Sequence, residues 1–344
     1  MTAALKVIAP GLHTTVQDLG RFGYQALGVP VSGALDGSSL RLANQLAGNP
    51  DNTAALEILY LGPTLEVEAE SARVALAGGD ATLELVSERA FDAGGWRSLL
   101  VHRGERFRVN ASSRTACCYL AVEGGIAVEP CLGSAATYTR GGFGGLKGRA
   151  LEADDLLPLA RPAAGERGEL MLPQPPPAGE EEAIRVVLGP QADHFTAAAL
   201  ELFLASEFRI SKDADRMGVR LEGAKLAHRD GYDIASDGIA TGAIQVPGSG
   251  QAILLLADHQ TTGGYPKIAT VITADLSVVG RRRPGDSVHF AAVEVEEAER
   301  LRRAQEEEQS ALVASFVPAT PKPGLDERRL YRVNLISGAV AGDE

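Results

Sequence analysis

Apolar residues recur along this chain in short runs more than at helical spacing. Leu65, Val67 and Ala69 alternate with acids, Leu83 and Leu85 alternate again, and Val74 and Leu76 lie between them. A period of two predicts strands with one face turned inward. Further strands are predicted at residues 5–8, 98–101, 107–109 and 117–122, punctuated by glycine pairs at 78-79, 94-95 and 124-125. In the carboxyl half the runs at 184–188, 219–221, 252–257 and 268–272 read the same way, and a strand-like end covers 330–336. Helical spacing is confined to three places. Asp36 is a good N-cap for a helix over 37–47, with Leu40, Ala43, Leu46 and Ala47 on one face and Gly48 past its end. A second helix is predicted to be capped near Asp193, burying Phe195, Ala199, Leu202 and Phe203; a third, over 293–312, carries a narrow apolar stripe and i,i+4 charge pairs. The reading is mainly β with a few helices, at intervals that suit barrels or sandwiches.

Residues 161–182, rich in proline, alanine, glycine and acid, predict a linker. It divides the 344 residues into a β domain at 1–160, a second at 183–292, and a helix with tail at 293–344. The 39 glycines and 5% aromatics fit many turns and few large core side chains. A net charge of −12 disfavours nucleic acid or an anionic membrane as partner. The dense basic run Arg281-Arg282-Arg283 precedes Pro284-Gly285 and reads first as a solvated loop, second as a contact to an anion or to a neighbouring subunit. Three cysteines without CxxC spacing give no disulfide framework and no zinc motif. With no stretch near the ~18 apolar residues of a membrane span, a cytoplasmic, reducing setting is expected. Metal-protease, nucleophile-elbow and P-loop motifs are absent.

The chemistry concentrates in ADHQTTGGYPKIATVITAD, residues 257–275, where an apolar run ends on Asp258, His259 and Gln260. Thr261 and Thr262 add hydroxyls, and Lys267 adds a cation. Gly263-Gly264 is expected to adopt positive φ and turn its N–H groups toward one point, and Tyr265-Pro266 to stiffen the exit. The plain alternative is a hairpin turn. Ser236 and Asp237 lead toward the strand that ends at Asp258, so Asp237 is a candidate partner for Lys267, or else a simple turn residue. A second glycine loop, RGGFGGLKGR at 140–149, offers Arg140 and Lys147 to an anion, or is a connector. Near the amino terminus, Asp18 and Arg21 are close enough to pair, and with His13 they are either structural or a site wall.

Four blocks carry a resemblance: GLHTTVQDLGRFGYQALGVPVSGALDGSSLRLANQLAGN from Gly11, RGGFGGLKGRAL from Arg140, DRMGVRLEG from Asp215, and SDGIATGAIQVPGSGQAILLLADHQTTGGYPKIATVI from Ser236. In register from about Val7 to Val288, they resemble the allophanate hydrolase subunit 2 family, also called biotin-dependent carboxyltransferase or the C component of 5-oxoprolinase. The resemblance implies tandem cyclophilin-like β-barrels. It implies a complex with an allophanate hydrolase subunit 1-like protein and a third subunit, opening 5-oxoproline to glutamate with ATP and Mg. A carboxyltransferase acting on urea or a related amide with carboxybiotin is one alternative, although this chain has no biotin-attachment motif of its own. A non-catalytic regulator that binds a kinase-inhibitor-like partner is another. On the enzymatic reading, a small amide or lactam carbonyl meets the glycine loop and Lys267, with Asp258 or Asp237 orienting Lys267, and His259 or Gln260 hydrogen-bonding the amide. The family often has Arg at the position of His259.

Overall fold

In the computed structural model, which describes residues 3–86, 91–177 and 183–319, the chain forms two β units, each around its own apolar core. The first unit pairs a six-stranded sheet with a seven-stranded one. Cys117–Val122 lies inside the larger sheet, between Ala55–Leu59 and Ser71–Ala77, and is buried along its whole length. Its alternation explains how. Cys118, Leu120 and Val122 face the core between the sheets, whereas Cys117, Tyr119 and Ala121 face a second apolar layer built on helix α1, Gly37–Ala47. Both thiols at 117 and 118 are buried, and burial pushes the Cys118 thiol up to about 12. Asp36 caps α1 by accepting from the Ser39 N–H at 3.1 Å, and Gly48 closes it in the left-handed conformation.

The second unit is an eight-stranded sheet that curls around Phe203, Phe208 and Phe290. Its central pairing, Ala243–Gln245 against Lys267–Val271, positions the glycine loop. Helix α2, Ala197–Ala205, departs from expectation at its start. Thr196, not Asp193, is the cap, accepting from the Ala199 N–H at 3.1 Å, because residues 192–194 form a separate short 3-10 turn. Leu202 is consequently on the open side, 43% exposed, while Ala199 and Phe203 are buried.

Two further helices join the units. Helix α3, Leu276–Arg281, ends against the first unit: the Arg281 carbonyl accepts from Ala116 N–H at 2.8 Å, and its side chain pairs with buried Asp36 at 3.1 Å. Arg282 is buried, and Arg283 donates to the Ser112 carbonyl at 2.7 Å beside the Tyr60 ring. The basic run is therefore an inter-unit contact and not the solvated loop expected. Its charges meet carbonyls, a ring and an acid that lie in the other half of the sequence. Gly280 permits the approach, since a Cβ there would sit 2.2 Å from the Leu35 carbonyl oxygen. Helix α4, Val295–Ala314, lies across both units: Glu306 accepts from Arg41 at 2.8 Å, and Gln305 donates to the Ala274 carbonyl at 2.8 Å.

Within the stretch read as linker, Leu170–Met171 forms a strand beside Arg97–His102 and Val317–Pro318, so at least this part is woven into the first unit's sheet. Residues 178–182 and the expected strand at 330–336 lie outside the described residues. Among those described, no helix is long and apolar enough to cross a membrane.

Candidate functional site

Lys267 opens the strand Lys267–Val271 and is only 2% exposed. Its Nζ donates to Asp237 at 2.9 Å and to the Gly238 carbonyl at 3.3 Å. An ammonium has three N–H bonds, so one remains beyond these two acceptors among the described residues. Asp237 belongs to no hairpin turn. With Gly238 it forms a two-residue strand, Asp237–Gly238, antiparallel to Thr262–Gly263, and this small ladder folds the glycine loop over Lys267. Hydrogen bonding from Lys267 holds the Asp237 carboxyl below its ordinary value, with the Gly238 N–H adding to the effect. Gln191 ties the pair to the neighbouring segment: its side-chain oxygen accepts from the Lys267 backbone N–H at 3.1 Å, and its amide nitrogen faces Asp237 at 3.3 Å.

The loop is not a nest of positive-φ glycines. Neither Gly263 nor Gly264 lies in the left-handed region. Gly263 packs closely instead: a Cβ would come within 2.8 Å of Gln245 Nε2 and 2.9 Å of Ile239 Cδ1, so both side-chain ends would have to shift. Gln245, buried opposite Lys267 in the strand register, donates to the Tyr265 carbonyl at 3.4 Å and accepts from Gln260 at 3.3 Å. Gly264 accepts from the Ile234 N–H at 2.9 Å, and Thr261 from the Ile239 N–H at 3.0 Å, which binds the loop to the segment that carries Ser236. Ser236, Thr262, Tyr265 and Gln260 are exposed at its rim.

His259 is fully buried. Its Nδ1 lies 2.6 Å from the Gln260 carbonyl, so that nitrogen is the donor; Nε2 then accepts from the Thr241 hydroxyl at 3.2 Å. Burial lowers its pKa from the ordinary 6.5, against an upward pull from the Gln260 carbonyl and Asp258. The ring braces the loop from beneath as a neutral imidazole.

Asp258 points elsewhere. Both its oxygens accept from Arg216, at 2.9 and 3.1 Å, and Arg216 reaches on to Glu57 and to the Gly33 carbonyl at 2.7 Å. Of the two acids, therefore, Asp237 and not Asp258 orients Lys267. Burial works against the Arg216 charge, but Glu57 and Asp258 outweigh it and raise its pKa. Glu57 also accepts from the Tyr119 hydroxyl at 2.7 Å and the Leu35 N–H at 2.8 Å. A buried acid–arginine–acid chain thus crosses the seam between the units.

His13 lies near this chain. Its Nδ1 is buried without a partner among the described residues, and its pKa is lowered by burial, with Arg216 adding to the effect and Glu57 and Asp258 opposing it. Asp18 and Arg21 do not pair. Asp18 accepts from Ser134 Oγ, Ala135 N–H and Gly20 N–H at 2.7, 2.7 and 2.8 Å, whereas Arg21 donates to the Ala136 carbonyl and lies over the Phe143 ring. Both brace the loop over 134–143, because its backbone groups meet their side chains first. Lys147 and Arg149 are both held by Asp155, at 3.1 and 2.7 Å. Arg140 rests on Met217 Sδ, next to Arg216 in sequence.

Residues 27–292 match the family model described as "Carboxyltransferase domain, subdomain A and B". The chain belongs to that carboxyltransferase family. It is 37% identical over 302 residues to the C component of the 5-oxoprolinase of Escherichia coli, covering 88% of this chain and 95% of that one. Against the component of the same name from Haemophilus influenzae it is 35% identical, over 86% and 93%. Among solved structures, the Kluyveromyces lactis urea carboxylase superimposes with a TM-score of 0.82 at 29% identity. That match covers 94% of this chain but 31% of the larger protein. The tandem barrel architecture is thus the carboxyltransferase one.

Sequence reasoning brought Lys267, Asp237 and Gln260 to one place in this carboxyltransferase domain but missed Gln191, Gln245, Thr241, Glu57 and Arg216. Gln245 and Glu57 did leave a signal, each being a polar residue inside an apolar strand run, and such residues are informative when buried.

Proposed function

We propose that this chain is a subunit of an ATP-dependent 5-oxoprolinase, opening 5-oxoproline to glutamate together with an allophanate hydrolase subunit 1-like partner and a third subunit. The names of the bacterial relatives, aligned over nearly their full lengths, support the substrate class. The observation that carries a role in the chemistry is the Lys267 ammonium, buried, aimed by Asp237 and Gly238, and left with one N–H to give. Opening a lactam draws negative charge onto its carbonyl oxygen, and a fixed donor stabilises that charge more in the transition state than in the ground state. Asp237 keeps Lys267 in place, Gln191 positions both, and neutral His259 holds the backbone on which Gln260 is mounted. Thr261, Thr262, Gly263, Gly264, Tyr265 and Ser236 form the wall.

For ATP and Mg the donor sets on this chain fit poorly. The cations of the loop over 140–149 already face Asp155 or Met217, and among the described residues no three His, Cys, Asp or Glu side chains are grouped as a metal site.

The test is reconstitution of the three-component assembly with ATP and 5-oxoproline, reading glutamate. Lys267→Ala should lower kcat by about 100-fold or more, with the melting temperature and co-elution with the partners unchanged. Lys267→Arg should also fail, since a planar fork does not replace a compact ammonium. Wild-type turnover in Lys267→Ala would remove the residue from the mechanism. Glutamate formed without this chain would overturn the subunit reading, and carboxybiotin-dependent carboxylation of urea would reassign it.

A further inference from the structure

The carboxamide of Gln245 is 2% exposed at the end of Ala243–Gln245, facing the same loop as Lys267. A carboxamide offers two N–H donors and two oxygen lone pairs. Here one donor is used at 3.4 Å by the Tyr265 carbonyl and one lone pair at 3.3 Å by Gln260, which is itself exposed. Both contacts are at the long, weak end of the hydrogen-bond range. The backbone at Gly263 does not demand glycine, yet any Cβ there would press on Gln245 Nε2. What glycine supplies at this position is room for the loop backbone to lie against the carboxamide, so that Gln260 is the exposed side chain whose departure would free the Gln245 oxygen.

We propose that Gln245 is a specificity residue that reads the cis-amide edge of the substrate, with the substrate amide replacing Gln260. This rests on the lactam reading of the Lys267 site. In a lactam, ring closure forces N–H and C=O onto the same side, and a primary amide or urea presents the same edge. A carboxamide carries the complementary edge in reverse order, so the two close a ring of two hydrogen bonds. An ordinary trans secondary amide turns its N–H and C=O to opposite sides and makes only one of them.

The experiment has two arms. In the first, ligand-observed NMR measures binding of pyrrolidinone and N-methylpyrrolidinone to the chain. Wild type should bind the first and not the second, which lacks the N–H, and Gln245→Met should bind neither. Gln245→Glu should bind pyrrolidinone only at acidic pH, where a protonated carboxyl regains a donor beside its acceptor. Equal binding of both lactams by wild type, or no binding of either, would overturn the proposal. In the second arm the reconstituted complex should show KM for 5-oxoproline raised about 10- to 100-fold in Gln245→Met, with kcat close to wild type and an unchanged melting temperature. Unaltered KM in a complex that makes glutamate would sink the role of Gln245 alone. Absence of glutamate from the wild-type complex would instead count against the 5-oxoprolinase reading, leaving the binding arm to judge Gln245.

Discussion

His259 shows how burial turns a residue with acid–base potential into a fixed support. The folded protein holds it neutral below the pH at which a free imidazole takes up its proton, so the unfolded chain binds more protons there and stability rises with pH. The contribution is complete above 6.5 and is lost as pH falls from that value through the folded-state pKa. The midpoint of thermal unfolding should therefore be flat above neutrality and decline below it, and His259→Gln should flatten part of the decline. An unchanged slope in that variant would mean that His259 is not held neutral. The sequence offered Lys267 two acids, Asp258 and Asp237, and only the ladder of 237–238 against 262–263 decides for Asp237. The reason for Gly263 was not legible, because a sequence shows where glycine stands and not whether it is needed for its φ or for room. Asp18 and Arg21 failed for a related reason: proximity along the chain said nothing of the carbonyls and N–H groups at 134–136 that reach them first.

Helix α1 was readable almost to the residue, since its cap, its apolar face and its closing glycine are all local signals. Its second role was hidden: Asp36 both caps the helix and receives Arg281 from the other unit. Asp36→Ala should cost about 3–5 kcal/mol in urea unfolding, the sum of a lost cap and an unmatched, mostly buried arginine. Asp36→Asn should recover only the cap, about 1 kcal/mol. Equal losses in the two variants would show that the capping interaction contributes nothing. Helix α2 went astray at its start because Asp193 and Thr196 are both acceptable caps, and the choice between them lies with the 3-10 turn packed against the strand at 267–271. The contacts that the basic run at 281–283 makes with the first unit lie more than a hundred residues away in sequence, where no local pattern records them.

At the scale of the molecule, Glu57 and Arg216 are separated by 159 positions, yet with Asp258 they form the charged core of the seam. Removing the middle member, as in Arg216→Met, leaves two buried acids facing each other. The expected loss is about 3–5 kcal/mol, accompanied by faster hydrogen exchange at residues 32–36 and 257–259, measured by mass spectrometry. Protection unchanged at those positions would mean that the seam is held by packing alone. The strand at 317–318, laid beside 170–171, has a different kind of implication. After completing the second unit the polypeptide doubles back and lends its last described strand to the first, so the first unit does not own all its parts. Cleaving the backbone once within 178–182 should yield two fragments that stay together through gel filtration, whereas a fragment ending at 177 should be a poor folder by itself; separation of the two fragments would show that the domain border visible in the alphabet of residues is also a line along which the protein comes apart.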